Sequence, residues 1–235
     1  MSEIKIARFV GIEACKSIFS DKSTFVLRSP EHYIRWYETN EGETDKGDKD
    51  EGSADTNDNG TASDGKPWVM SCWTILDEDE PTSDEWEIFK EKDQNIVAIV
   101  STPSKVCKFL DKVFETDKEH TKRKFPFYSL EHDKVTYGKP IDPAQIVDDV
   151  PFQKKRKFTK QKEYRFVLRC KFPNIIDSLI FCRGIDYMEQ CFVNPTMCKE
   201  QKKELQTIIR TAMDGYGDFD GKTMPDIIAN ADVLF

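Results

Sequence analysis

A mixed α+β fold, with helices around a strongly bent or split sheet, follows from two features of the sequence. Apolar segments of two-residue period alternate with segments of helical period, yet several of the former neighbour one another in hairpin-like order. The 235-residue chain is also long enough to bury a core without staples. The expected organisation is a single domain over 1–235 with a disordered acidic insertion at about 39–66.

Ile4 to Val10 alternates as a first strand, with Ile4, Ile6, Arg8 and Val10 on one face. Arg8 thus points among aliphatic neighbours and requires a carboxylate or an anionic ligand, because an unpaired buried charge costs several kcal/mol. A short helix over Ile12 to Phe19 and a strand over Thr24 to Arg28 follow, ended by Ser29-Pro30. The aromatic run HYIRWYE, His32 to Glu38, reads either as a short helix or as an extended lid, and equally as ordinary half-buried packing. Thr39 to Lys66 contains only Ala54 and Ala62 as apolar residues, so burial cannot offset its ordering entropy.

Trp68 to Ile75, WVMSCWTI, is apolar on both faces apart from Ser71 and Thr74 and reads as a central strand. Thr82 with Glu85 three residues on is a capping-box signature for a helix reaching about Lys92, with Trp86 and Phe89 as its buried contacts. The preceding Asp77 to Glu80 lacks the ligand spacing of a calcium loop and reads as a solvated turn. Asn95 to Ser101 is a strand, Thr102-Pro103 a cap and first residue, and Ser104 to Phe114 an amphipathic helix. Its STPSK turn has amides for an anion but no phosphate-loop glycines.

Lys118 to Lys124 and LEHDK read as charged loops holding His120 and His132, and Lys134 to Gly138 as a short strand. Asp177 to Cys182 is a further strand, and Asn194-Pro195 caps a long helix reaching Met213, stopped by Gly215. In the tail, GDFDG has Tyr216 and Ile227 where a calcium loop needs ligands, so no metal is expected.

The stretch most suggestive of function is Phe152 to Cys170, FQKKRKFTKQKEYRFVLRC. Read as a strand from Gln161, it places Lys162, Tyr164, Phe166, Leu168 and Cys170 toward the core. Gln161, Glu163, Arg165, Val167 and Arg169 then share an open face.

Charge and cysteine usage bound the rest. The net charge of −8, from 35 basic and 43 acidic residues, argues against nucleic-acid binding over the whole surface and leaves Lys154 to Lys162 as a local basic patch. Seven scattered cysteines with no C-x-x-C pair argue for free thiols rather than a zinc ribbon or a secreted disulfide framework. MSEIKIARFVGIEACKSIF interleaves charges where a signal peptide would be apolar, and no window offers about 20 apolar residues. A soluble, cytoplasmic protein with no membrane association is the expectation, with its oligomeric state left open.

Several segments together carry a resemblance: ARF on the first strand, FVLRSPEHYIRWYE after the first helix, WVMSCWT before a tryptophan-bearing helix, and KFTKQKEYRF late in the chain. They resemble a widespread prokaryotic domain of unknown function whose members often lie among mobile and phage-defence genes, and the similarity covers nearly the whole chain outside Thr39 to Lys66. Family members tend to carry Glu-x-Glu-aromatic-Arg on the late strand, where this chain has Gln161 first, and their Asn-Asp-Pro turn is absent here. More distantly, the order Arg8, then Ser71 or Ser29, then Gln161-x-Glu163 is similar to that of one class of ADP-ribosyltransferases.

That resemblance implies an ADP-ribosyltransferase-like fold and an NAD-dependent effector of phage-defence or toxin type, with NAD as substrate and a protein or nucleic-acid acceptor. Glu163 would stabilise the oxocarbenium character that develops as the nicotinamide–ribose bond breaks. Gln161 would orient the acceptor, Arg8 would grip the phosphates, Ser71 would support Glu163 or the ribose, and Tyr33 or Trp36 would stack on nicotinamide. Two other readings fit the same residues. Glu163 to Arg165 can be a solvated sheet face with cross-strand pairs, Arg8 bridging Glu163. Alternatively, Lys154, Lys155, Arg156, Lys157 and Lys160 with Phe158 can form a non-catalytic module for nucleic acid or a protein partner.

Overall fold

The computed structural model describes residues 3–19, 24–30, 32–33, 68–89, 96–120, 127–138, 150–170, 178–182 and 185–215. In chain order they form β1 (Ile6–Gly11), α1 (Ile12–Ile18), β2 (Thr24–Arg28), β3 (Trp68–Ile75), α2 (Ser83–Ile88), β4 (Ile96–Ser101) and α3 (Pro103–His120). There follow β5 (Phe127–Lys134), β6 (Thr136–Tyr137), β7 (Gln153–Lys154), a 3-10 helix over Arg156–Gln161, β8 (Glu163–Cys170), β9 (Ser178–Cys182), β10 (Gln190–Val193) and α4 (Lys199–Gly215). The fold is mixed α+β, a large antiparallel sheet plus a two-stranded one, as the alternating periodicities predict. The chain divides into two compact units, Met1–Phe25 with Thr74–Thr116 and Phe181–Phe235, and Val26–Trp73 with Asp117–Ile180.

In the first unit β4 lies between β10 and β1, and the end of β3 pairs with β1 through Ile6↔Ile75 and Ala7↔Thr74. Ala7, Ala98, Val100 and Phe192 present one face to Leu76 and to Trp86 of α2. Helix α2 is only six residues long, yet its capping box is complete: Thr82 accepts from the Glu85 amide while Glu85 accepts from the Thr82 amide. The ring of Phe9 stacks on Phe89 at 4.5 Å and meets Trp86 edge-on at 5.2 Å. Elsewhere in the unit Phe25 and Phe109 pack against Tyr187.

In the second unit β8 runs between β5 and β3. The β5 register sets Glu131 opposite Val167 and His132 opposite Phe166. Trp68, Met70 and Val167 form a buried trio against which Tyr33, Cys72 and Phe152 pack half-buried. On the other face Trp73 meets Phe166 edge-on, and His132 stacks over Tyr164 and Phe166 with its Nδ1 2.6 Å from the Tyr164 hydroxyl. The small sheet pairs β6 and β7 in parallel, Thr136↔Gln153 and Tyr137↔Lys154.

Several boundaries differ from the sequence expectation. Strand β1 begins at Ile6, and α3 extends to His120, so that histidine is helical and His132 lies in a strand rather than a loop. Asn194 does not cap α4. Its Oδ1 accepts from the amide and hydroxyl of Thr196 in a local turn, and the helix starts at Lys199. Strand β10 had no separate signal, being four residues long. The insertion at about 39–66, Trp36 and the GDFDG tail lie outside the described residues.

Candidate functional site

The stretch from Phe152 to Cys170 is not one strand. Gln153–Lys154 belongs to β7, Arg156–Gln161 coils as a 3-10 helix, and Lys162 closes it in the left-handed region at φ 45. Only at Glu163 does extended structure begin. Gly138, at φ +65, lets β6 approach this segment: a Cβ there would lie 3.0 Å from the Cβ of Arg156.

The face expected to be open is buried. Glu163 is 6 %, Arg165 0 % and Arg169 2 % exposed. Strand β8 therefore carries buried charge on one face and apolar side chains on the other, and pairing compensates each charge. Lys154 Nζ donates to Glu163 Oε1 at 2.5 Å and to Gln161 Oε1 at 2.9 Å. Arg165 Nε donates to Glu163 Oε2 at 2.8 Å, and its Nη1 donates to the Pro151 carbonyl at 2.7 Å. The Glu163 amide donates to the Tyr137 hydroxyl, its carbonyl accepts from Val135, and Lys154 accepts from Gly138. Arg169 grips both carboxylate oxygens of Glu131, which is itself steadied by Ser129.

Burial by itself would push the Glu163 carboxyl up, but the charges of Arg165 and Lys154 outweigh it and hold the group at about 2. Burial, reinforced by the Glu163 charge, pushes the Tyr137 phenol up to about 12. The network is thus fixed in one protonation state at neutral pH, with Glu163 ionised and Tyr137 neutral. Gln161 and Glu163 are brought together, as expected, but by Lys154, and both carboxylate oxygens of Glu163 are occupied.

The other predicted site residues fall elsewhere. Ser71 is fully buried and accepts from the Trp73 indole N–H at 3.0 Å. Trp73 packs on Phe166, whereas Trp68, Met70 and Cys72 belong with Val167, which shares the face of Glu163 and Arg165. Ser71 and Glu163 therefore lie on opposite faces of the sheet, and Ser71 does not support the carboxylate. Ser29 is also buried, its Oγ accepting from the His32 amide. Tyr33 is half-buried and, like Phe152, packs against the Trp68, Met70 and Val167 trio, while Arg8, in the first unit, is half-buried with its guanidinium 5.8 Å from the centre of the Phe25 ring. Trp36 lies outside the described residues.

The basic patch is partitioned. Lys154 is consumed by the network, and Phe158 is 3 % exposed with the ammonium groups of Lys154 and Lys157 over its ring at 4.7 and 4.6 Å. Phe158 is an anchor and offers no stacking surface. Arg156, Lys157 and Lys160 are exposed on the outside of the 3-10 helix. What sequence reasoning missed is the partnership of Lys154, Arg165 and Tyr137 with Glu163. Only Arg165, two residues on along the same strand face, had a signal in the sequence.

Among the described residues no group of three or more side chains is arranged to hold a metal ion, and no helix is long and apolar enough to cross a membrane. Asp77 to Glu80 are exposed and border an open groove with Glu3 and Lys5. Lys5 pairs with Glu189, and Glu3 accepts from Ser104 at the start of α3. No family model, no curated protein and no solved structure matches this chain.

Proposed function

We propose that the chain is a non-catalytic binding module that takes the phosphate backbone of nucleic acid on Arg156, Lys157 and Lys160. The observation carrying this reading is that three exposed cations sit on a short helix pinned at both ends and in the middle. Lys154 ties its start, and Gln161 and Glu163 its end, into the buried network. Phe158 anchors the centre. Cations held in place before binding lose less freedom when they bind, which favours association by this rim despite the net charge of −8. With three phosphate contacts, log Kd for a single strand should change with log salt at a slope of about 2. The test is fluorescence anisotropy with a labelled oligonucleotide between low and physiological salt. The triple variant R156E/K157E/K160E should bind at least tenfold more weakly, and unchanged affinity would end this reading.

A second reading, NAD-dependent ADP-ribosyl transfer, is favoured by one observation: Glu163 is held ionised with the Gln161 carboxamide on the same ammonium. An ionised carboxylate is what an oxocarbenium-like ribose needs. In this reading ribose hydroxyls displace Lys154 from Glu163, which stabilises the developing charge, and Gln161 orients a protein or nucleic-acid acceptor. The test is nicotinamide release on incubation with NAD. Release by the wild type and loss in Glu163→Gln support it; no release by the wild type, or equal release by the variant, removes it.

A further inference from the structure

We infer that the basic rim takes single-stranded rather than duplex nucleic acid, with unpaired bases received by the half-buried rings of Tyr33 and Phe152. The inference rests on the rim reading above and adds the chemical class of its ligand. Both side chains pack against the same buried trio, Trp68, Met70 and Val167, and both residues are partly exposed, with His32 meeting the Tyr33 ring edge-on at 5.7 Å. Phe152 lies five residues before Lys157, within about 17 Å along the chain even if fully extended. Its neighbour Pro151 is fixed by the Arg165 guanidinium, so the approach from ring to rim has a set backbone. Cations flanking an aromatic platform bind single strands, because every base has a stacking face that a duplex keeps hidden. Phe158, the aromatic within the basic run itself, is buried and cannot serve. Among the described residues, Tyr33 and Phe152 are the partly buried aromatic residues that pack on this trio.

The experiment compares three labelled nucleic acids of equal length, a thymidine single strand, the same strand with abasic sugars and a duplex, with a labelled poly-glutamate chain beside them. Tyr33→Leu and Phe152→Leu keep apolar packing while removing the aromatic face, and thermal unfolding confirms that they fold. The wild type should bind the thymidine strand at least fivefold more tightly than any other ligand. Each leucine variant should lose about 5- to 150-fold on the thymidine strand, the range of about 1–3 kcal/mol per stacked base, and leave the abasic strand unchanged. Equal affinity for the thymidine and abasic strands, or leucine variants within twofold of wild type, would overturn the inference while the rim reading stood. Preference for a poly-glutamate chain over every strand would overturn it in favour of an acidic protein partner. Absence of binding to all three nucleic acids would overturn the inference and the rim reading together.

Discussion

Replacing Glu163 by glutamine tests the buried network most directly. The substitution preserves shape but removes the one carboxylate that Lys154 and Arg165 share. Glu163 titrates at about 2 instead of the ordinary 4.5, and at about 1.36 kcal/mol for each tenfold change in proton affinity this corresponds to about 3 kcal/mol. Loss of one partner of a buried pair costs about 3–5 kcal/mol in general, so the two routes agree. Because the folded value is depressed, the stabilisation is fully present above pH 4.5 and is lost as pH falls through about 2. Urea unfolding of wild type and Glu163→Gln should therefore differ by about 3 kcal/mol at pH 7, and the gap should close as pH approaches 2. In thermal scans at pH 7 this corresponds to about 6–12 °C for a chain of this size. A gap below about 1 kcal/mol at pH 7, or one that stays constant down to pH 2, would refute the assignment of Glu163 as an ionised, charge-paired group.

Ser71→Ala should lower stability by about 1–3 kcal/mol, because the buried Trp73 N–H loses its acceptor; oligonucleotide affinity should not change, and a change of tenfold would return Ser71 to the list of ligand contacts. Lys162→Gly should raise stability by about 0.5–1 kcal/mol in denaturant unfolding, since the left-handed backbone at φ 45 suits glycine. Thr82→Ala should cost about 0.5–2 kcal/mol by opening the capping box of α2, with unchanged midpoints as the contrary result. Toward a thiol reagent at pH 8, Cys198 should react in the native protein. Cys15, pushed up to about 12 by burial, and Cys191, pushed well above the usual thiol range by burial, should react only after unfolding.

The elements legible in the sequence are those whose own residues decide them. Trp68 to Ile75 and Thr24 to Arg28 are strands with the bounds their composition indicates, and Thr82 with Glu85 makes both bonds of the capping box. The candidate site was harder to read because its key contacts span the chain. Lys154 reaches Glu163 from nine positions away across the 3-10 helix, and the Tyr137 hydroxyl reaches the Glu163 amide from 26 positions away. Strand alternation also misleads where charge is buried in pairs. Gln161, Glu163, Arg165 and Arg169 look like an exposed polar row, but Glu131, Lys154 and the Pro151 carbonyl supply partners that sequence spacing does not reveal. Polar character predicts exposure only where the fold supplies no buried partner.

Energetics favour the first of the two functional readings. Strand binding on Arg156, Lys157 and Lys160 leaves every bond of the Glu163 network in place. Transfer from NAD requires ribose hydroxyls to displace Lys154 from Glu163, and disrupting a buried pair costs about 3–5 kcal/mol. Two hydroxyls bonded to a carboxylate return about 3–6 kcal/mol, so these contacts would do little more than offset the opening. The serine that the distant resemblance pairs with the carboxylate adds a larger obstacle. Bringing Ser71 to the face of Glu163 requires β3 to slip by one residue, and a one-residue slip inverts every side chain of a strand. Trp68 and Met70 would leave the trio they form with Val167, and Trp73 would leave Phe166. Each of those side chains is at least nine-tenths buried, and lifting a large apolar side chain out of the core costs about 1.5–3 kcal/mol. For Trp68, Met70 and Trp73 together that is about 4.5–9 kcal/mol, and the return from two ribose hydroxyls is already taken up by opening the Lys154 pair, so the ADP-ribosyl-transfer reading would have to work with Ser71 left on Trp73.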